Sequence, residues 1–246
     1  MKLGLQLYNF REELQEDFRG TLKKIAALGF DGVEFYGYHG DMSAQELADY
    51  LKELNLECAG TMFSAENLLD ENNEVYEYAK ILNSPAVTIS MMTDFTKALP
   101  AMIETCQKIG ANAAKNNTVF SYHNHWAEFA LIDGETALEQ MLKKTDPKQV
   151  RLELDVCWLT RGGKKPVEFM KLYKDRIHQI HLKDIKVLDD PSTTSELGTG
   201  VIDLKGVIEA PKATDCEWLI YEQDNTKLSP LESAARSIEF LKKNVR

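Results

Sequence analysis

Short apolar, β-branched runs alternate with helix-patterned segments along the whole 246-residue chain, and this alternation limits the fold more than any other feature. The run LGLQLY (3–8) is followed by EDFRGTLKKIAALGF, where Phe18, Leu22, Ile25, Ala26 and Leu28 keep the helical period and Gly29 ends it. DGVEFYG (31–37) reads as a second strand. MSAQELADYLKELNL reads as a helix opened by Ser43, with Glu46 three residues on as its capping box. The pairs continue: ECAGTMF (57–63) with SAENLLDENNEVYEYAKILNS; PAVTISM (85–91) with FTKALPAMIETCQKIGANAAKNN, which carries Pro100 near its first turns; TVFSYHNH (118–125) with GETALEQMLKKTD. VRLELDVCW (150–158) precedes KPVEFMKLYKDR, IHQIHLKD (177–184) precedes IDLKGVIEAPKATD (202–215), and EWLIYEQD (217–224) precedes SPLESAARSIEFLKKNVR. Eight such units, about 30 residues each, predict an α/β chain closed as a single-domain (β/α)8 TIM barrel over residues 1–246. An open doubly wound sheet competes, but the first strand–helix turn, LYNFREEL, lacks G-x-G-x-x-G. TRGGKK and IKVLDDPSTTSELGTG are the longer loops, expected on the face where barrel enzymes work.

Composition removes several classes of function. With 29 basic and 39 acidic residues the net charge is −10, which disfavours nucleic acid or an anionic membrane as partner. Cys58, Cys106, Cys157 and Cys216 form no CxxC pair, so no zinc ribbon or redox motif is indicated. The start, MKLGLQLYNFREEL, has no long apolar core, and no run approaches the ~18 apolar residues of a membrane span. A cytoplasmic protein with reduced thiols is expected.

The strand ends carry the chemistry. In a parallel barrel they converge on one rim, and here they finish in Glu34; His123, Asn124 and His125; Asp155; His181; and Glu222. Alternation places Glu153, Asp155 and Cys157 on one face, Gln179, His181 and Lys183 on another, and Trp218, Ile220 and Glu222 on a third, with Asp224 just beyond. Each residue also has a plain reading. His123 can be a hydrogen-bonded strand end, Asp155 a loop cap, Glu222 an ion-pair partner of Lys183, Cys157 a small core residue and His39 a surface-loop residue. Trp126, Phe129 and Trp158 line a pocket or merely cover the mouth. Coincidence on four successive strands singles out His123, Asp155, His181 and Glu222 as a set able to ligate one divalent cation. Mixed imidazole and carboxylate donors suit Mn²⁺, Zn²⁺, Co²⁺ or Fe²⁺ better than Ca²⁺.

At these residues the chain resembles the xylose isomerase-like TIM barrels, in their sugar phosphate isomerase/epimerase branch. The likeness runs through LGLQLY, LGFDGVEFYG, YHNHWAEF, LELDVCW, IHQIHLKD, LGTGVIDLKGVI and WLIYEQD. It implies one divalent metal, Mn, Zn, Co or Mg, held by residues from strands 5 to 8. Asp155, His181 and Glu222 match the last three ligands. Strand 5 departs from the pattern: the family has Glu-Asn-His, and this chain has His123-Asn124-His125, so His123 stands where the first glutamate belongs and the site loses one negative charge. Trp158 stands where family epimerases carry a histidine.

The resemblance implies a sugar or sugar phosphate isomerase or epimerase, moving a proton α to a carbonyl through an enediolate that the metal stabilises. Glu222 is the expected ligand and proton acceptor, His125 or Glu128 the second proton group, and Lys183 the holder of a substrate oxygen. Tyr8 and Glu34 are expected at the pocket. Two alternatives stand beside this reading. One is a metal-dependent dehydratase of a keto-inositol or related polyol, which the second imidazole suits. The other is a non-catalytic sugar-binding barrel. The apurinic endonuclease branch needs more metal ligands and DNA contacts than five histidines and a charge of −10 provide. A small carbohydrate is the expected partner. Relatives assemble as dimers or tetramers, so a homo-oligomer is left open.

Overall fold

A computed structural model describes residues 1–213 and 215–245. The barrel strands are β1 (Lys2–Gln6), β2 (Gly32–Phe35), β3 (Glu57–Met62), β4 (Val87–Ser90), β5 (Phe120–His123), β6 (Arg151–Asp155), β7 (Ile177–Leu182) and β8 (Trp218–Tyr221). Each pairs in parallel with its neighbours, and β8 pairs with β1 to close the sheet. The helices are α1 (Arg11–Glu16), α2 (Phe18–Leu28), α3 (Ala44–Glu53), α4 (Ala65–Leu69), α5 (Val75–Ile81), α6 (Phe95–Lys115), α7 (Ala137–Lys144), α8 (Val156–Arg161), α9 (Pro166–Leu172), α10 (Leu204–Glu209) and α11 (Pro230–Val245). The expected (β/α)8 barrel is the observed fold.

Local chemistry sets the helix ends. In α3 the Ser43–Glu46 capping box forms in both directions, and Ala44, Leu47 and Leu51 make its buried face. Gly29 ends α2 at φ 84°, a conformation that costs glycine no Cβ clash. The Lys242 ammonium of α11 donates to the Leu28 carbonyl at 3.0 Å, so the last helix satisfies the end of the second. The irregular DENN stretch divides its segment into α4 and α5. The helix expected over 202–215 runs only from Leu204 to Glu209, with a short 3-10 turn at Ala210–Ala213 after it; Thr214 of that stretch lies outside the described residues, as does Arg246.

The expected strands run too far at their C-terminal ends. β6 stops at Asp155 because its carboxylate accepts from the Trp158 amide at 2.8 Å and opens α8. Cys157 therefore lies in a helix and not on the strand face assigned to it. β1 stops at Gln6, which leaves Tyr8 in a short 3-10 turn. β7 stops at Leu182, and Asp184–Ile185 pairs antiparallel with Thr194–Ser195 as a short buried ribbon in the loop that follows.

Between sheet and helices lies one continuous core that includes Leu3, Leu5, Ile25, Val87, Leu154 and Leu219. Complete burial of each such side chain is worth roughly 1.5–3 kcal/mol before conformational entropy is charged against it. Inside the barrel, Ala59, Trp218 and Ile220 form a separate apolar layer near the N-terminal end. Gly32 makes room for it, since a Cβ there would stand 2.6 Å from the Trp218 ring. Above this floor the interior turns polar.

Candidate active site

Inward-facing positions of successive strands bring the polar residues together. β5 registers His123 against Glu153 of β6, and β6 registers Asp155 against His181 of β7. Ligand atoms of His123, Asp155, His181 and Glu222 all lie within 4.8 Å of one another, and all four residues are buried. A second group, Glu34, Glu153 and His181, meets the same condition directly beneath.

Each imidazole is held by a carboxylate. His123 Nδ1 is 2.9 Å from Glu153 Oε1. His181 is held at both nitrogens: Nδ1 lies 2.8 Å from Glu222 Oε2, and Nε2 lies 2.5 Å from Glu34 Oε2 and 3.2 Å from Glu153 Oε1. The Gln6 amide donates to Glu34 Oε2 at 2.8 Å, and the Thr88 hydroxyl donates to Glu153 Oε2 at 3.3 Å. Burial works against charge on His181, but Glu153 and Glu34 outweigh it and hold its pKa well above the ordinary value. Burial and the charge of His181 push His123 down to about 4. Burial and the neighbouring Glu34 raise Glu153 to about 7.

Lys183 is buried among three carboxylates: Asp224 at 2.9 Å, Glu222 at 3.0 Å and Asp155 at 3.3 Å. Its ammonium also sits 4.5 Å from the centre of the Trp158 ring. Burial opposes its charge, yet Asp224, Glu222 and Asp155 hold its pKa well above the usual lysine value. Burial pushes Asp155 and Asp224 up, while Lys183 and His181 overcome burial at Glu222 and pull it well down. Five carboxylates, Glu34, Glu153, Asp155, Glu222 and Asp224, thus surround one ammonium and one strongly basic imidazole. Glu34 Oε1 is buried without a hydrogen-bond partner. An interior with this excess of negative charge accommodates a further cation, and the His–Asp–His–Glu donor set suits a divalent one.

The mouth above the cluster is divided into two openings. One, about 280 Å³, is lined by Gln6, Tyr8, Tyr36, His123, His125 and Glu222. The other, about 420 Å³, is lined by Met92, His125, Trp126, Trp158 and Asp224. A larger groove of about 580 Å³ lies near the start of β3, between Lys52 and Asn83. It holds no convergent ligand set and is at the end of the barrel opposite the chemistry.

His125 faces both openings, and its buried Nδ1 has no hydrogen-bond partner. Burial and then the Lys183 charge lower its pKa to about 4, so the ring is neutral at pH 7. Glu128 is fully buried: its Oε1 accepts from the Tyr122 hydroxyl at 2.8 Å and its Oε2 from the His125 amide at 3.1 Å. It buckles the turn that carries His125 and lines neither opening. Asn124 clamps the neighbouring strand, its amide donating to the Asp155 carbonyl at 3.2 Å while its oxygen accepts the Asp155 N–H at 3.1 Å.

Of the aromatic residues, Trp126 and Trp158 line the mouth, while Phe129 is buried against Gly162. His39 is no surface-loop residue. Its Nε2 is 3.0 Å from the Thr61 hydroxyl, and its ring packs against Phe35, Phe63 and Tyr78. Burial raises the Cys157 thiol pKa, in keeping with a core role. Glu153 is the residue that strand parity placed on the correct face without assigning it a task.

The fold and the donor cluster together define a (β/α)8 barrel whose interior gathers residues able to hold a metal ion. A family model described as xylose isomerase-like TIM barrel matches residues 22–244, and the chain belongs to that family. Among curated proteins, it is 25% identical over 266 residues to an inosose dehydratase of Lactiplantibacillus plantarum, covering 91% of this chain and 87% of the relative. A solved sugar phosphate isomerase/epimerase from Parabacteroides distasonis superposes with a TM-score of 0.84 at 20% identity, over 99% of this chain and 98% of that one. The IOLI protein, solved with a bound zinc atom, superposes with a TM-score of 0.78 at 15% identity, over 100% and 98%.

Proposed function

We propose that this protein is a divalent-metal-dependent lyase that removes water from a cyclic keto-polyol of the keto-inositol type. The observation that carries it is the buried His123–Asp155–His181–Glu222 cluster opening onto a cavity that His125 shares. Curated relatives that span about nine-tenths of the chain are inosose dehydratases, and a fold relative is known with zinc.

His123, Asp155, His181 and Glu222 would hold the ion, which when bound supplies Lewis-acid polarisation of the substrate carbonyl. His125, neutral and with a free nitrogen, takes the proton from the carbon next to that carbonyl. The Lys183 ammonium holds the departing hydroxyl and returns a proton to it, so that one water leaves and one double bond forms. With Asp155 and Glu222 committed to the ion, Asp224 keeps Lys183 in place. Trp126 and Trp158 offer apolar faces to a ring substrate. One base and one different acid suit an elimination. Glu222 shares the smaller opening with His125, and two proton groups on one cavity make ketose isomerisation or epimerisation the second reading.

Protein stripped with chelator and reloaded with Mn²⁺, Co²⁺ or Zn²⁺ is incubated with a keto-inositol and a set of ketoses. A dehydrated product from the keto-inositol alone is expected. Epimeric or isomeric ketoses without dehydration would replace the lyase by the second reading, and no turnover with metal bound would leave only a sugar-binding barrel. Asp155→Asn and His181→Ala should each abolish stoichiometric metal, measured by elemental analysis. Metal retained by both would remove the ligand assignment.

A further inference from the structure

We infer that Glu153 is a positioning residue for the metal. From the neighbouring strand it returns the negative charge that His123 withholds at the strand-5 position, and it directs His123 to ligate through Nε2. The inference rests on the proposed metal-site reading and concerns a residue outside the four ligands.

Strand register builds the contact. Glu153 pairs directly with His123 across β5 and β6, faces inward two residues before Asp155, and is completely buried. With Glu153 ionised it only accepts, so the 2.9 Å contact then puts the Nδ1 proton of His123 on the Glu153 side. Among the described residues no hydrogen bond engages Nε2, and His123 lines the smaller opening. The family's glutamate would put its charge on the metal itself. Here an imidazole donor with a carboxylate behind it delivers the same charge one shell further out, an arrangement that orients the ring and raises its donor strength. The same Glu153 oxygen lies 3.2 Å from His181 Nε2, so one carboxylate backs both imidazoles, with Glu34 as the second support of His181. Thr88 fixes the other Glu153 oxygen.

The test is divalent metal affinity, by competition titration with Mn²⁺ and Zn²⁺, together with the visible spectrum of the Co²⁺-loaded protein. Glu153→Gln keeps the shape and an acceptor for Nδ1–H but removes the charge. It should weaken affinity roughly 10- to 100-fold, the range typical of lost outer-shell partners. Combining His123→Glu with Glu153→Gln moves the carboxylate onto the metal. This double variant should regain wild-type affinity, with a changed Co²⁺ spectrum because an oxygen replaces a nitrogen donor. Wild-type affinity in folded Glu153→Gln would overturn the inference, as would failure of the folded double variant to recover; urea midpoints of the metal-free proteins establish folding. If Asp155→Asn and His181→Ala retain metal as well, the metal-site reading has failed and takes this inference with it, whereas their loss of metal beside an unaffected Glu153→Gln overturns the Glu153 role alone.

Discussion

At the scale of the residue, the His-Asn-His run divides into three tasks that its spelling does not reveal. His123 turns down into the cluster against Glu153, Asn124 ties β5 to β6, and His125 faces the mouth. The identities of His123, Asp155, His181 and Glu222 were legible because alternation and converging strand tips need no knowledge of register. Glu153 was not legible, because its task depends on which residue of the adjacent strand lies opposite. His39 was misread for a related reason: a loop histidine takes its environment from aromatic residues on β2, just past β3 and on α5. Burial lowers its pKa to about 4. The unfolded chain, with a value near 6.5, then binds the proton more readily than the folded one. Stability should therefore fall as pH drops from about 6.5 to about 4, by no more than about 3 kcal/mol from this group. Urea unfolding at pH 7 and pH 5 checks this, and His39→Gln should show a shallower pH dependence than the parent.

Among the elements, apolar periodicity located the barrel strands and most of the helices, yet it overran strand ends where a side chain caps the next helix. Val156, Cys157 and Trp158 continue an apolar run, and only the Asp155 carboxylate, turned onto the Trp158 amide, shows that a helix has begun. The second capping box, Thr136 with Glu139, lies inside the segment read as a helix from Gly134 and sets the true start of α7. HLKD and GTG, two motifs separated in sequence, prove to be one device. The Asp184 carboxylate accepts from Gly198 at 2.9 Å, Gly200 at 2.8 Å and Ile202 at 3.2 Å, so it threads the loop after β7 onto the barrel rim. Gly200 is required there, since a Cβ would stand 2.2 Å from Asp184 Oδ1. Asp184→Ala removes the acceptor of three amides, of which that of Ile202 is buried, and should cost about 1–3 kcal/mol in urea unfolding. Because Pro191 and Ser192 of the same loop border the mouth, activity should fall further than stability does.

For the molecule as a whole, the two ends of the barrel have separate duties. Trp218, Ala59 and Ile220 fill the floor, while charged groups crowd the upper half. Trp218→Ala should destabilise the fold by about 3–5 kcal/mol through the cavity it leaves, while metal affinity stays within about twofold of the parent. Urea unfolding beside a metal titration separates the two effects. Closure itself was readable from eight repeated units, whereas the polar layer above an apolar floor was not, because sequence gives the inward residues of each strand but not the height at which they meet. That plugged floor also dictates traffic. Under the proposed function, ion and sugar must both come from the mouth end, so the ion loads before the sugar and a seated sugar shuts it in. Chelators should then strip the resting protein quickly and the substrate-saturated protein slowly.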